Sequence, residues 1–140
     1  MAASLRPEQL RRSPWAGEWS ANEVLSHLRS CADVWGIAIA RLLAEDRPPI
    51  RAIDPRTWVE STDYRELEFQ LSLQAFTAQR LALLETLNIL KPADWARSTT
   101  VTGAGAPLER SVQDYAGRLA RHERSHYRPL ARIIKALGLA

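Results

Sequence analysis

Apolar side chains recur at steps of three and four along three long stretches of the chain. Between 111 and 137 the stripe reads Val112, Tyr115, Leu119, His122, His126, Leu130, Ile133 and Leu137, which predicts an amphipathic helix. Between 20 and 44 it reads Val24, His27, Cys31, Val34, Ala38 and Leu42. A third helix is expected over 63–88, with two stripes, Leu67, Leu71, Ala78, Leu81 and Phe69, Leu73, Phe76, Leu83, Leu87. So wide a face predicts that it packs on two sides.

Caps and breakers set the ends of these helices. Ser20 with Glu23 three residues later has the spacing of a capping box, and Trp19 with Val24 that of a hydrophobic staple. Asp63 with Glu66 and Ser111 with Asp114 suggest two further starts. Pro48 and Pro49 stop the first long helix near Ala44. A short helix is expected over 5–12, with Pro7 in its first turn and Pro14 after it, and one more turn over 92–95. Stretch 48–61 has no sustained period and reads as a loop anchored by Trp58; stretch 98–107, rich in Thr, Gly and Ser, reads as a loop with a few extended residues at most. Pro129 lacks the N–H that would reach the Ser125 carbonyl and is expected to bend the last helix. With no strand pattern or internal repeat, the expected fold is an all-α bundle of three long helices and a short N-terminal one.

Composition narrows the class. At 140 residues, 46% hydrophobic and 25% charged, the chain reads as a single domain over 1–140 with a sizeable core. Its 19 basic and 16 acidic residues give a mixed surface of net charge +3, which argues against nucleic acid as a partner. A lone cysteine fits a reducing compartment. No apolar run approaches the ~20 residues of a membrane span, and the N-terminus lacks the order of a signal peptide. The expected location is cytoplasmic, with no membrane partner.

The chemistry lies in the histidines. His122 and His126, four residues apart, share one helix face and can reach one metal ion. Both occupy inward positions, where an unsatisfied imidazole nitrogen would cost roughly 1–3 kcal/mol. The third histidine, His27, is also on an inward stripe, but the pattern alone does not bring it to the other two. His122-Glu123-Arg124-Ser125-His126 further matches the His-Glu-x-x-His pattern of metallopeptidases, with Glu123 as base. That pattern commonly takes its third ligand downstream, and 127–140 contains no His, Asp or Glu. Glu123 is therefore read as a solvated or outer carboxylate paired with an arginine. Cys31, one turn after His27, is read as a small core residue, with a ligand role as the alternative. Arg121, Arg124, Arg128, Arg132 and Lys135 form a solvated outer face of the last helix; the alternative is a landing strip for an anionic cofactor.

Trp19-Ser20-(x2)-Glu23-(x3)-His27-Leu28, followed about 95 residues later by His122-Glu123-(x2)-His126, resembles the DinB-like superfamily of metal-dependent helical bundles. The likeness extends to Leu5-Arg6-Pro7-Glu8-Gln9-Leu10 and to Asp94-Trp95. It implies that His27, His122 and His126 are the three protein ligands of a divalent metal, zinc or nickel before iron or manganese. Three neutral nitrogens leave the ion its full charge and at least one position open. The resemblance further implies a small-molecule substrate and either hydrolysis or S-transfer with a low-molecular-weight thiol such as bacillithiol or mycothiol. The competing expectation is a non-catalytic bundle whose metal is structural or absent. Relatives usually carry a long helix before the equivalent of Leu5, where this sequence has four residues. Either a second copy of the chain closes the open wall or the segment from Met1 to Trp19 covers it in part, and a homodimer is expected.

Overall fold

The computed structural model describes residues 5–139. The chain opens with a single turn, α1 (Pro7–Leu10), whose Leu10 is buried. Helix α2 (Ala21–Ala44) is the central element. Ser20 Oγ accepts the Glu23 amide at 3.2 Å while Glu23 Oε2 accepts the Ser20 amide at 2.7 Å, so two of the orphan donors at the start are satisfied. The helix is buried over more than one stripe, and its buried serines turn their hydroxyls back onto the backbone: Ser26 donates to the Asn22 carbonyl and Ser30 to the Ser26 carbonyl. At its far end the Arg97 guanidinium donates to the Leu42 and Glu45 carbonyls at 2.6 and 2.9 Å, covering acceptors that the helix leaves open.

The last helix, α6 (Val112–Leu139), starts at a second reciprocal cap, Ser111 with Asp114, and continues unbroken through Pro129. It runs antiparallel to α2. Val112, Tyr115 and Leu119 share one apolar cluster with Cys31, Val34, Trp35, Ala38, Ile39 and Leu42, whereas Ile133 and Leu137 share a second with Leu10, Ala21, Val24, Leu25, Leu28 and Phe69. The core thus has two apolar halves, and the histidines lie at the level between them.

Helix α4 (Phe69–Asn88) begins six residues later than the Asp63 start suggested. The Glu66 and Leu67 amides do turn back to the Asp63 carbonyl, but the carbonyls that would extend the helix are used elsewhere: Arg11 takes that of Glu66, and Asn22 takes that of Leu67 at 2.9 Å. Nor does α4 pack on two sides within the chain. Its Phe69, Leu73, Phe76, Leu83 and Leu87 stripe faces the core, while Leu71 and Leu81 are 58% and 56% exposed.

Both stretches read as loops contain regular structure. In the first, β1 (Ile50–Arg51) is followed by α3 (Pro55–Trp58), capped by Asp54 with Pro55 at the first helical position, and by a 3-10 turn (Val59–Ser61). In the second, β2 (Ser98–Thr102) pairs antiparallel with β3 (Leu108–Ser111) and parallel with β1, giving a small sheet of order β1-β2-β3. Gly103 (φ +90) and Gly105 (φ +79) supply the left-handed residues of the β2–β3 connection, and a Cβ at Gly103 would lie 2.9 Å from the Arg51 side chain. A turn is also formed at α5 (Pro92–Trp95). No described helix is long and apolar enough to cross a membrane.

Asp33, on α2, ties these pieces to the core. Its carboxylate accepts from Trp58 Nε1 at 3.1 Å, the Tyr64 hydroxyl at 2.5 Å and Gln79 Nε2 at 2.9 Å, so Trp58 anchors its segment as expected. Asp33→Ala is expected to destabilise the fold by about 2–3 kcal/mol, because three donors lose a charged acceptor at once. The urea midpoint of the variant reads this directly; a shift smaller than that of an exposed control such as Glu85→Ala would refute the strut.

Candidate metal centre

At the level between the two apolar halves, the antiparallel pairing of α2 and α6 brings the three histidines together. His27 Nε2 lies 3.0 Å from His122 Nε2. His126, one turn further along α6, has its ring centroid 4.6 Å from that of His122 and 5.2 Å from that of His27. All three are half-buried rather than sealed in the core. Cys31, almost fully buried, has its Sγ 3.7 Å from His27 Nε2 and 3.8 Å from His122 Nε2. The group of donor atoms all within 4.8 Å of one another is His27, Cys31 and His122.

The donor set suits a cation. Two imidazole nitrogens 3.0 Å apart either share one proton or direct both lone pairs at something positive between them. His122 Nδ1 is buried with no hydrogen-bond partner, so nothing outside the cluster fixes which of its nitrogens carries the proton. The Nε2 atoms of His27 and His122 therefore fit a divalent metal, while His126 has its ring beside them but lies outside the group of donors within 4.8 Å of one another.

The electrostatics keep the rings available. Burial, more than any charge, lowers the pKa of each histidine; the His126 ring and Arg56 add to it for His27, against a smaller opposing pull from Asp54, and the His126 and His27 rings and Arg118 add to it for His122, which is brought to about 4. The rings are thus neutral near pH 7, as ligation requires. Burial also pushes the Cys31 thiol up to about 12. For metal-free protein the sign of the pH effect follows. A histidine whose folded pKa is depressed takes up its proton more readily when unfolded, so its contribution is complete above about 6.5 and is lost as the pH falls toward 4. The thermal midpoint of chelated protein is expected to drop over this window, and less so in His122→Asn; equal profiles for the two would refute the assignment.

Aromatic rings and arginines wall the centre. Trp19, 44% exposed, stacks on His126 at 6.4 Å and meets His27 edge-on at 5.1 Å. Trp35 meets His122 edge-on at 5.2 Å and carries Arg118 over its outer face at 4.6 Å. The sequence reading missed Trp35 and Arg118, although helical spacing offered a signal, since they lie four residues after Cys31 and four before His122. A cavity of about 70 Å³ opens beside His27 between Trp19, Arg56 and Arg65. A larger one of about 430 Å³ lies beyond Trp35 and includes Arg110, Tyr115 and Arg118.

Several of the remaining candidates have other partners. Glu123 pairs with Arg80 of α4, both side chains being largely buried, and Glu23 is engaged in the α2 cap. On the outer face of α6, Arg132 pairs with Glu18 at 2.8 Å and lies over Trp15.

A Bacillus licheniformis protein named as a candidate metal-dependent hydrolase is 30% identical over 108 residues, covering 77% of this chain and 61% of that protein. The chain therefore spans about three fifths of that relative's length. In architecture it is similar to YfiT from Bacillus subtilis, described as a probable metal-dependent hydrolase with an unusual four-helix bundle topology. The TM-score is 0.69 at 19% identity, over 96% of this chain and 74% of that one. At that identity the likeness is one of fold. The profile of the DinB superfamily matches residues 1–130, nearly the whole of the bundle that carries the histidines, and the chain belongs to that superfamily.

Proposed function

We propose that this protein is a metal-dependent hydrolase or thiol-dependent S-transferase acting on a small molecule, with His27, His122 and His126 as ligands of zinc or nickel. The observation that carries the proposal is the meeting of three neutral imidazoles from two antiparallel helices at one level of the core. The names of the two relatives point the same way. Such an ion, when bound, lowers the pKa of a coordinated water or thiol and makes a nucleophile available near pH 7.

The chain's own residues do the rest. Trp19 packs against His27 and His126 and Trp35 against His122, which limits how far the rings can turn. The cavity beside His27 has room for a few waters. The larger cavity is of a size that takes a small ligand, and Arg110 and Arg118 suit an anionic group on it. Peptidase chemistry is disfavoured, because the carboxylate a His-Glu-x-x-His enzyme uses as base is here paired with Arg80.

Chelator-stripped protein, reloaded with zinc or nickel, tests the reading against ester and amide substrates and, with added thiol, against alkylating electrophiles. Turnover restored only by reloading supports it, and turnover unaffected by stripping overturns it. Metal bound without turnover on either panel favours the non-catalytic alternative. A homodimer belongs to the same proposal: Leu71, Ala78 and Leu81 present an apolar stripe on the outer side of α4. Sedimentation at micromolar concentration is expected to give twice the chain mass, and a stable monomer would remove the dimer.

A further inference from the structure

We infer that Cys31 is itself a ligand, so that the metal sits in a mixed thiolate–imidazole centre built on His27, Cys31 and His122, with His126 as the outermost donor. The inference rests on the metal site proposed above and adds an anionic sulfur to it. Its warrant is the shape of the donor triangle. With zinc–nitrogen bonds of about 2.0–2.1 Å and a zinc–sulfur bond of about 2.3 Å, a tetrahedral ion separates nitrogen from sulfur by roughly 3.6 Å and nitrogen from nitrogen by roughly 3.3 Å. The observed edges are 3.7 and 3.8 Å for Sγ to the two nitrogens and 3.0 Å between the nitrogens. All three edges thus lie close to those of one face of a coordination tetrahedron.

Helix geometry explains the placement. Cys31 follows His27 by one turn of α2, and both project toward the turn of α6 that carries His122. His126 is the more peripheral member, with its ring stacked on the half-exposed Trp19. On binding, the Sγ–H proton passes to solvent as the sulfur–metal bond forms, since a coordinating thiol is deprotonated outright. The bound sulfur cancels one positive charge and favours zinc over harder ions such as magnesium or manganese. His27, Cys31 and His122 would hold the ion, and His126 would be the most exchangeable of the four protein donors.

Cobalt(II) titration of metal-free protein distinguishes the possibilities. Because the chain has one cysteine, a near-ultraviolet thiolate-to-cobalt charge-transfer band can come only from Cys31. The band is expected to grow to one equivalent alongside the visible ligand-field bands. In Cys31→Ser the charge-transfer band is expected to vanish, while the visible bands persist and zinc affinity falls on the order of 10–100-fold. Wild-type protein that takes up cobalt with visible bands but no charge-transfer band would overturn the Cys31 assignment and leave the histidine site standing. Wild-type protein that binds no cobalt or zinc would overturn both. The wild-type spectrum decides the matter even if the variant fails to fold.

Discussion

Replacing His122 by alanine is expected to abolish metal retention: the purified wild-type chain carries close to one divalent ion, and His122→Ala carries essentially none. Loss of an outer partner of a ligand typically costs 10–100-fold in affinity, and loss of the ligand itself costs at least that much. His122 is a decisive position because it meets each of the other members, being 3.0 Å from His27 Nε2, 3.8 Å from Cys31 Sγ and ring to ring with His126. The substitution also removes a half-buried ring whose Nδ1 has no partner, so the fold is expected to survive it. Elemental analysis of untagged protein gives the answer, with circular dichroism as the control for folding. Equal metal content in the two proteins would sink the site.

The largest loss of stability is expected at Phe69. This ring, 2% exposed, begins α4 and packs among Leu10, Leu25, Leu28, Ile133 and Leu137, joining elements from both ends of the chain. Phe69→Ala leaves a cavity that four separate elements would have to close together, and a cost of about 3–5 kcal/mol is expected. That is a large share of the stability of a domain this size. Chemical denaturation of the variant beside Leu81→Ala, a position 56% exposed on the same helix, makes the comparison internal. A similar loss at both would mean that α4 is held by something other than its inner stripe.

The helices were readable because local and tertiary signals agree in them. Ser20 with Glu23 and Ser111 with Asp114 form the caps their spacing suggests, and the stripes of α2 and α6 are the faces that become buried. The start of α4 was not readable: the Asp63 turn is real, but Arg11 and Asn22 compete for the carbonyls that would continue it. The sheet escaped for a different reason. β1 has two residues and no period, and β2 is a run of Ser, Thr and Val whose buried Thr99 is satisfied by the Pro48 carbonyl at 2.6 Å. Asp54-Pro55, by contrast, was a legible helix start inside a stretch taken for loop.

For the site, spacing gave the His122 and His126 pair, and resemblance supplied His27. Cys31 was visible on the stripe but read as filler, because a cysteine among leucines has no sequence mark that separates packing from ligation. Only the register of α2 against α6 makes its distances to two nitrogens informative.

The placing of imidazoles between two aliphatic blocks also bears on how α2 and α6 find their alignment. Leucines and valines alone would tolerate sliding, since one apolar contact replaces another. A slip of one turn, about 5.4 Å, would press the rings of His122 and His126 toward Val24 on one side or Val34 on the other, where no acceptor or cation awaits them. The polar layer thus works as an index mark on an otherwise greasy seam.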